Sequence, residues 1–519
     1  MKKRLMVILV ILISFAMLVA CGNDSSEKTN GNTDSKKETE GSGSEAPTSI
    51  SMLTGVWGQP PVDINNSPIF TKLEEATNTE LDIQLVPVSN YDQNFSLVLS
   101  ANQLPDVVHA FSSKSPVLID AINQGAFHNL GDFDLEKYEN LNTIPEFIWE
   151  NASINGEIYG VPNAVGLNSL SLSLRQDWLD QLNLEVPTTL DELKEVLIAF
   201  SQNDPDNNGK KDTFGLAGSG YGSPGSVPSF ENYLIGAFGV REPVFEDDKL
   251  LLPWMTEGYK EYLEYMQDLY ANEVLPKEYY LMGNSDVDEL VEQNLVGSIG
   301  GTIHGAGEKT QVLQRQNPDA SFTVIPPIEG PGGHAGSIQP GYYGMWLIPK
   351  SVDEEKVPKI LEYLDKTATT EINNLVNFGI EGVHYDELDD TTVVRSEEQE
   401  ALLGEDAGQG AIVLVNTYNA YNDVTKNRFP KEMEGALITR IDEYNEVAPS
   451  DPFRLLISET HSERSADVFG QLNEMMIQVI TGSADLDKWS EYVASMKENA
   501  TVQQMMTEYA EQYEMVYGE

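Results

Sequence analysis

The stretch from Ile50-Ser51-Met52-Leu53-Thr54, through Pro68 to Thr77, to Leu81-Asp82-Ile83-Gln84-Leu85-Val86-Pro87-Val88 decides the fold. The first segment reads as a strand, the second as a helix, and the third alternates apolar and polar residues as a half-buried strand does. A loop, Gly55 to Pro61, joins the first two. The rhythm continues with a helix from Tyr91 to Ala101, a short buried strand at Asp106-Val107-Val108-His109-Ala110-Phe111, and a helix from Pro116 to Gln124. Strands alternating with helices predict βαβ units and a parallel sheet. Ligands of such sheets gather beyond the carboxyl ends of the strands. That rule puts Trp57 and Ser112-Ser113 at a ligand crevice.

Further on, Asn155 to Pro162 reads as a hairpin turn and a strand, and Val165 to Leu174 as the first crossing into a second lobe. Thr189-Leu190-Asp191-Glu192 is a capping box. Behind it Leu190, Leu193, Val196, Leu197 and Phe200 share one helix face. Tyr259, Tyr262, Leu263, Met266, Leu269 and Tyr270 form a second stripe, read as core packing. Val296 to Gly301 is a buried strand ending in glycines, a return crossing. Phe322 to Ile325 and Tyr342 to Ile348 are further strands, and Val357 to Thr367 a helix. The C-terminal quarter is mostly helical, with Leu486, Trp489, Val493 and Met496 on one face. The expected division is a first lobe at 49–165 with return segments at about 302–345. The second lobe is expected at 166–300 with about 352–519, part of which goes back to the first.

At 519 residues the chain is too long for a single core. Its net charge of −51, from 83 acidic and 32 basic residues, excludes nucleic-acid binding. The N-terminus has Lys2, Lys3 and Arg4, an apolar run from Leu5 to Ala20, and Leu18-Val19-Ala20-Cys21. Basic start, apolar middle and small residues at the end are the parts of a secretory signal peptide, and the run is short for a membrane span. Cys21 is the single cysteine, so no internal disulfide forms. The segment resembles a lipobox, which implies removal of residues 1–20 and acylation of Cys21 by palmitate-type chains. Residues 21–48, almost free of apolar side chains, are expected to be a disordered tether. The protein is then lipid-anchored at the outer face of the cell membrane.

One loop has metal chemistry. Asp204-Pro205-Asp206-Asn207-Asn208-Gly209-Lys210-Lys211-Asp212-Thr213 places oxygen side chains at positions 1, 3, 5 and 9 and a glycine at position 6 of a Ca²⁺ loop. Lys210 would offer its carbonyl. Position 12 is Gly215 where an EF-hand has a bidentate Glu, so Thr213 or water is expected to complete the shell. Enzyme motifs are missing: no His pair at metal spacing, no G-x-S-x-G, and Glu308 breaks the one near-match to a phosphate loop. Carboxylate pairs are inevitable among 83 acids and decide nothing. Sugar recognition uses aromatic platforms beside polar groups. Trp57, Tyr221, Trp254, Tyr342, Tyr343 and Trp346 are candidates, Trp57 and Tyr221 foremost because Gly and Pro surround them.

Several stretches together carry a resemblance. They include Phe70 to Thr77, Leu104-Pro105-Asp106-Val107, Asn155 to Pro162, Arg175-Gln176-Asp177-Trp178-Leu179, Gly379 to Tyr385 and Leu486 to Tyr492. In this set the chain resembles family 1 extracellular solute-binding lipoproteins of ABC importers, the LipO-like group of Gram-positive bacteria. The resemblance implies a type II, two-lobe α/β periplasmic-binding-protein-like fold with hinge crossings and a helical C-terminal part. It implies a carbohydrate, an oligosaccharide, held in the cleft by a monomer that docks on permease subunits, with a separate ATPase. Alginate-binding members carry a similar calcium loop, which suggests Asp204, Asp206, Asn208, Lys210 and Asp212 as ligands. Those members have an acid where this chain has Thr213. The readings left beside it are a surface glycoside hydrolase or lyase, and a receptor for peptides or other solutes.

Overall fold

The computed structural model describes residues 46–518, apart from 114, 166–167, 221–226, 304, 316, 339, 390–391, 409 and 417–430. Cys21 and the expected tether up to residue 45 lie outside the described residues. In chain order, Thr48–Val56 (β1), Pro68–Thr77 (α1), Thr79–Pro87 (β2), Val88–Ser100 (α2), Val107–Ala110 (β3) and Pro116–Asn123 (α3) follow the expected alternation. Next come Gly160–Ala164 (β4), Asn168–Arg175 (β5), Leu190–Gln202 (α4), Glu257–Ala271 (α5), Ser298–Thr302 (β6), Phe322–Val324 (β7), Ser337–Ile338 (β8) and Tyr342–Leu347 (β9). Val357–Thr367 (α6), Thr370–Phe378 (α7), Glu397–Ala407 (α8), Lys431–Val447 (α9), Glu459–Ile480 (α10), Leu486–Lys497 (α11) and Ala500–Tyr517 (α12) complete the frame. Local chemistry sets the boundaries. Ser67 caps α1 by accepting from the Ile69 and Phe70 amides, and Asn78, left-handed at φ 57°, ends it. The capping box of Thr189 and Glu192 opens α4 as expected.

The first sheet has the order β2-β1-β3-β9-β4. β1 is parallel to β2 and to β3. β9 is antiparallel to both its neighbours, which corrects the expectation of a wholly parallel sheet. The reason is topological. β9 comes back from the second sheet, so it enters at the edge where β1, β3 and β4 end and runs against them. One face of the sheet buries Ile50, Met52, Val107 and Trp346 beneath α6, and the other buries Leu53, Val108 and Leu347 with Phe95 of α2 and Leu118 of α3.

In the second sheet β6, β7 and β8 all pair antiparallel with β5. Its core joins Leu172, Leu174 and Trp178 to Leu193, Leu197 and Phe200 of α4 and to Tyr262 and Met266 of α5. Residues 302–338 were expected in the first lobe. The structure keeps them with the second sheet, because β7 and β8 pair with β5 and Leu313, Ile325, Ile328 and Ala335 belong to its core. The helices after β9 divide. α6 packs on the first sheet, α7 and α8 pack against α1, and Tyr444 of α9 and the apolar faces of α10 to α12 lie in the second core.

Where the chain passes between sheets, three stretches lie side by side. The Ala164 amide donates to Asn416 O at 3.0 Å and the Val165 amide to Gly341 O at 2.7 Å. The Asn416 amide donates to Asn163 Oδ1 at 2.8 Å.

One polar staple ties the first layer together. Asp106 Oδ2 accepts from the Ser51 amide at 2.7 Å and the Ser51 hydroxyl at 2.8 Å, and Oδ1 takes Lys356 at 2.8 Å. Burial works against the charge, but Lys356 and the two Ser51 donors outweigh it and hold the carboxyl below its ordinary value. The folded-state value is therefore the lower one. The stabilisation is complete above the unfolded carboxylate value and fades as pH falls through the folded one. Asp106→Asn is expected to cost about 1–3 kcal/mol at neutral pH. It should also lessen the loss of stability on acidification, both read by urea titrations at neutral and acid pH.

Candidate ligand-binding site

β1, β3 and β4 end at one edge of the first sheet, and β9 starts there. The edge therefore collects Trp57, Phe111 to Ser113, Val165 and Tyr342-Tyr343. Three rings form a shelf. Trp57, 59% exposed, lies 5.7 Å from Tyr343 and 6.1 Å from Phe111, and Phe111 lies 5.6 Å from Tyr343. Tyr91 supports it from below, edge-on to Phe111 at 4.8 Å, with its hydroxyl donating to His109 O at 2.6 Å. Burial, then the Asp92 charge, pushes the Tyr343 phenol up, so it stays a neutral donor. Burial pushes the His109 imidazole, edge-on to Phe111 at 4.8 Å, down to about 3.

A β-bulge aims Tyr343. Against β4, Tyr342 faces Ala164 and Met345 faces Pro162, so three steps on β9 oppose two on β4. Gly344 takes the strain at φ 75°. A Cβ there would stand 2.4 Å from Ala110 O and 2.6 Å from His109 Cε1. Phe111 was not singled out from the sequence. Its signal is an aromatic residue directly after a buried strand, at the position where a βα unit presents its ligand-facing side chains.

The other expected site residues have different places. Ser112 is exposed at the edge, whereas Ser113 is buried, with its hydroxyl 2.6 Å from the Tyr342 hydroxyl, which itself donates to Asn151 O. Trp346 and Trp254 are corrected from loop positions to core ones. Trp346 is wholly buried in β9 with its indole N–H donating to Leu414 O at 3.1 Å. Trp254 is buried in the second core, 6.1 Å from Tyr492. Tyr221 lies outside the described residues.

The loop from Asp204 folds around its own side chains. Asp204 accepts from the Asn208 and Gly209 amides at 3.0 Å. The Asn208 side-chain amide reaches Asp206 at 2.7 Å and Asp212 at 3.2 Å. Burial, then the neighbouring Asp204 and Asp212, pushes the Asp206 carboxyl up. Thr213 turns away: it is buried, and its hydroxyl donates to Phe200 O at 2.7 Å. Among the described residues, no three His, Cys, Asp or Glu side chains are arranged around a common metal position. Among them also, no helix is long and apolar enough to cross a membrane.

Comparison with known proteins follows the same lines. The model of the bacterial extracellular solute-binding protein family matches residues 66–370, and the chain belongs to that family. It is 28% identical over 522 residues to the polygalacturonan/rhamnogalacturonan-binding protein YtcQ of Bacillus subtilis (strain 168), covering 99% of each chain. It is 28% identical over 462 residues to lipoprotein LipO of the same organism, covering 87% of this chain and 89% of LipO. Among solved structures, an HMO-binding solute-binding protein from Bifidobacterium longum infantis superposes with a TM-score of 0.67 at 16% identity, over 92% of this chain and all of that one. The Streptococcus pneumoniae substrate-binding protein FusA, as an EF-hand mutant with fructo-nystose, gives 0.63 at 20% identity, over 90% of this chain and 100% of that one. The fold is the two-lobe α/β fold of periplasmic binding proteins.

Gly344→Ala tests the bulge. A left-handed non-glycine residue costs about 1–2 kcal/mol, and the clash with Ala110 O adds to it. Loss of stability by denaturation is expected together with an altered near-ultraviolet circular dichroism spectrum, as Tyr343 leaves Trp57.

Proposed function

We propose that the protein is a lipid-anchored receptor that captures an oligosaccharide outside the cell and delivers it to an ABC importer. The observation that carries this reading is the shelf of Trp57, Phe111 and Tyr343 at the hinge edge of the first sheet. Aromatic faces take the C–H faces of sugars, and exposed hydroxyls and amides around them take the sugar hydroxyls. The crossings beside Asn163, Gly341 and Asn416 let two lobes close on a ligand that touches both, so binding shifts an open population to a closed one. The closed form then docks on permease subunits. Family membership and the sugar ligands named for the relatives support this reading, and LipO and the lipobox-like Cys21 segment support the anchor. A receptor of this kind works as a monomer and binds without catalysis.

Titration with galacturonate, fructan and alginate oligomers tests it. Trp57 is far more exposed than the other tryptophans, so its emission reports the shelf. Saturable quenching or a blue shift without product is expected with at least one class. Trp57→Ala, read by calorimetry, should weaken that binding about two- to tenfold, in line with about 0.5–1.5 kcal/mol for an aromatic contact. Chromatographic release of shorter sugars with turnover would instead make the protein a hydrolase or lyase.

Calcium belongs to the same proposal as a structural ion. Asp204, Asp206, Asn208, the Lys210 carbonyl and Asp212 would hold it, and the crowding that pushes Asp206 up is what a cation relieves. Calcium at a hundredfold excess over its dissociation constant adds about 2.7 kcal/mol of stability. The melting temperature is expected to rise with calcium and fall with a chelator, and Asp206→Ala should abolish the difference. Equal melting curves would remove calcium from the account.

A further inference from the structure

The shelf has a neighbour that the receptor reading does not use. Residues 86–105 contain one charge, Asp92, in a chain where 22% of residues are charged. Tyr91 and Phe95 turn one face of α2 into the first core. The opposite face carries Asn90, Gln93, Asn94 and Leu97, spaced i, i+3, i+4 and i+7 as one stripe. Leu97 is 66% exposed. These residues, with Pro87, line an open recess of about 720 Å³. Among the described residues the side-chain amides of Asn90, Gln93 and Asn94 have no hydrogen-bond partner.

The recess begins near the shelf. Val86 and Pro87, which line it, are the strand partners of Gly55 and Val56, the two residues before Trp57. The Asp92 charge acts on the Tyr343 phenol. α2 thus starts near the rings and runs away from them, about 15 Å from Asn90 to Ser100 at 1.5 Å per residue.

The geometry points to the outer face of α2 as a second saccharide subsite, outside the cleft, that holds the overhanging end of a ligand chain. The assignment rests on the receptor reading above. Each amide offers two donors and an acceptor, the pattern that neighbouring sugar hydroxyls answer. Leu97 and Pro87 supply apolar surface for the C–H faces. A protein partner calls for a core of aromatic residues, Met and Arg, and this face has a single Leu among amides and hydroxyls. The consequence is selection by length: short oligomers fill the shelf alone, and longer ones gain from α2.

The test uses the full chain and the triple variant Asn90→Ala, Gln93→Ala, Asn94→Ala. The substitutions are exposed and favour helix, so α2 persists. Galacturonate oligomers from the disaccharide upward are titrated against Trp57 emission, with fructan and alginate series in parallel. In the unmodified chain affinity should rise with length. In the variant the di- and trisaccharide should bind as before, while longer oligomers bind about tenfold more weakly, the loss expected for one or two hydrogen bonds. Equal affinity at every length in the unmodified chain overturns the subsite and leaves the receptor reading standing. Uniform weakening of all lengths overturns it too, because the amides then serve the shelf. Intact binding with impaired uptake in cells makes the face a protein-docking surface and overturns it. Absence of any saccharide response in the unmodified chain overturns the receptor reading and the subsite with it.

Discussion

The short backbone contacts between Ala164 and Asn416 and between Val165 and Gly341 govern what the rest of the molecule can do. They hold the crossings between two separate cores in one place. The ring shelf lies along the sheet edge that these crossings adjoin. That edge is where β1, β3 and β4 stop and β9 begins, so the loops after three strands and the start of a fourth converge there. Loops carry the chemistry and a rigid sheet carries the loops.

The shelf shows how backbone geometry is converted into a recognition surface. Tyr343 would pack inward or outward by simple alternation along β9. The extra residue opposite β4 breaks that alternation, and Gly344 makes the break possible because a methyl group there has no room beside Ala110 and His109. His109 fills the space beneath without a charge, since burial pushes its imidazole far below the usual histidine value. An aromatic surface exposed to water is therefore underwritten by a buried, neutral support.

Much of this was legible in the sequence. The helix from Pro68 to Thr77, the Thr189–Glu192 box and the period-two run at Leu81 to Val88 are local signals, and the structure honours them. The expected crevice residue Trp57 sits where the strand-end rule places it. What failed was non-local. Nothing in Phe322 to Ile338 says which sheet those short strands join, because an apolar strand fits either. The direction of β9 depends on where the chain has been, not on its own residues. Trp346 and Trp254 look like exposed aromatics because composition cannot reveal a neighbour such as Leu414 or Tyr492. The bulge at Gly344 is visible only once β4 is placed beside β9.

The sheet order β2-β1-β3-β9-β4 has a consequence for how the polypeptide matures. β9 is the central partner of β3 and β4, yet well over a hundred residues of the second layer separate it from β4. A chain emerging from an export channel in N-to-C order leaves a vacant lane between these strands until Tyr342 to Leu347 arrive. Bare strand edges of that kind invite mispairing with other chains. The later lobe therefore completes the earlier one, and assembly of the first sheet is a late, long-range event dominated by loop closure.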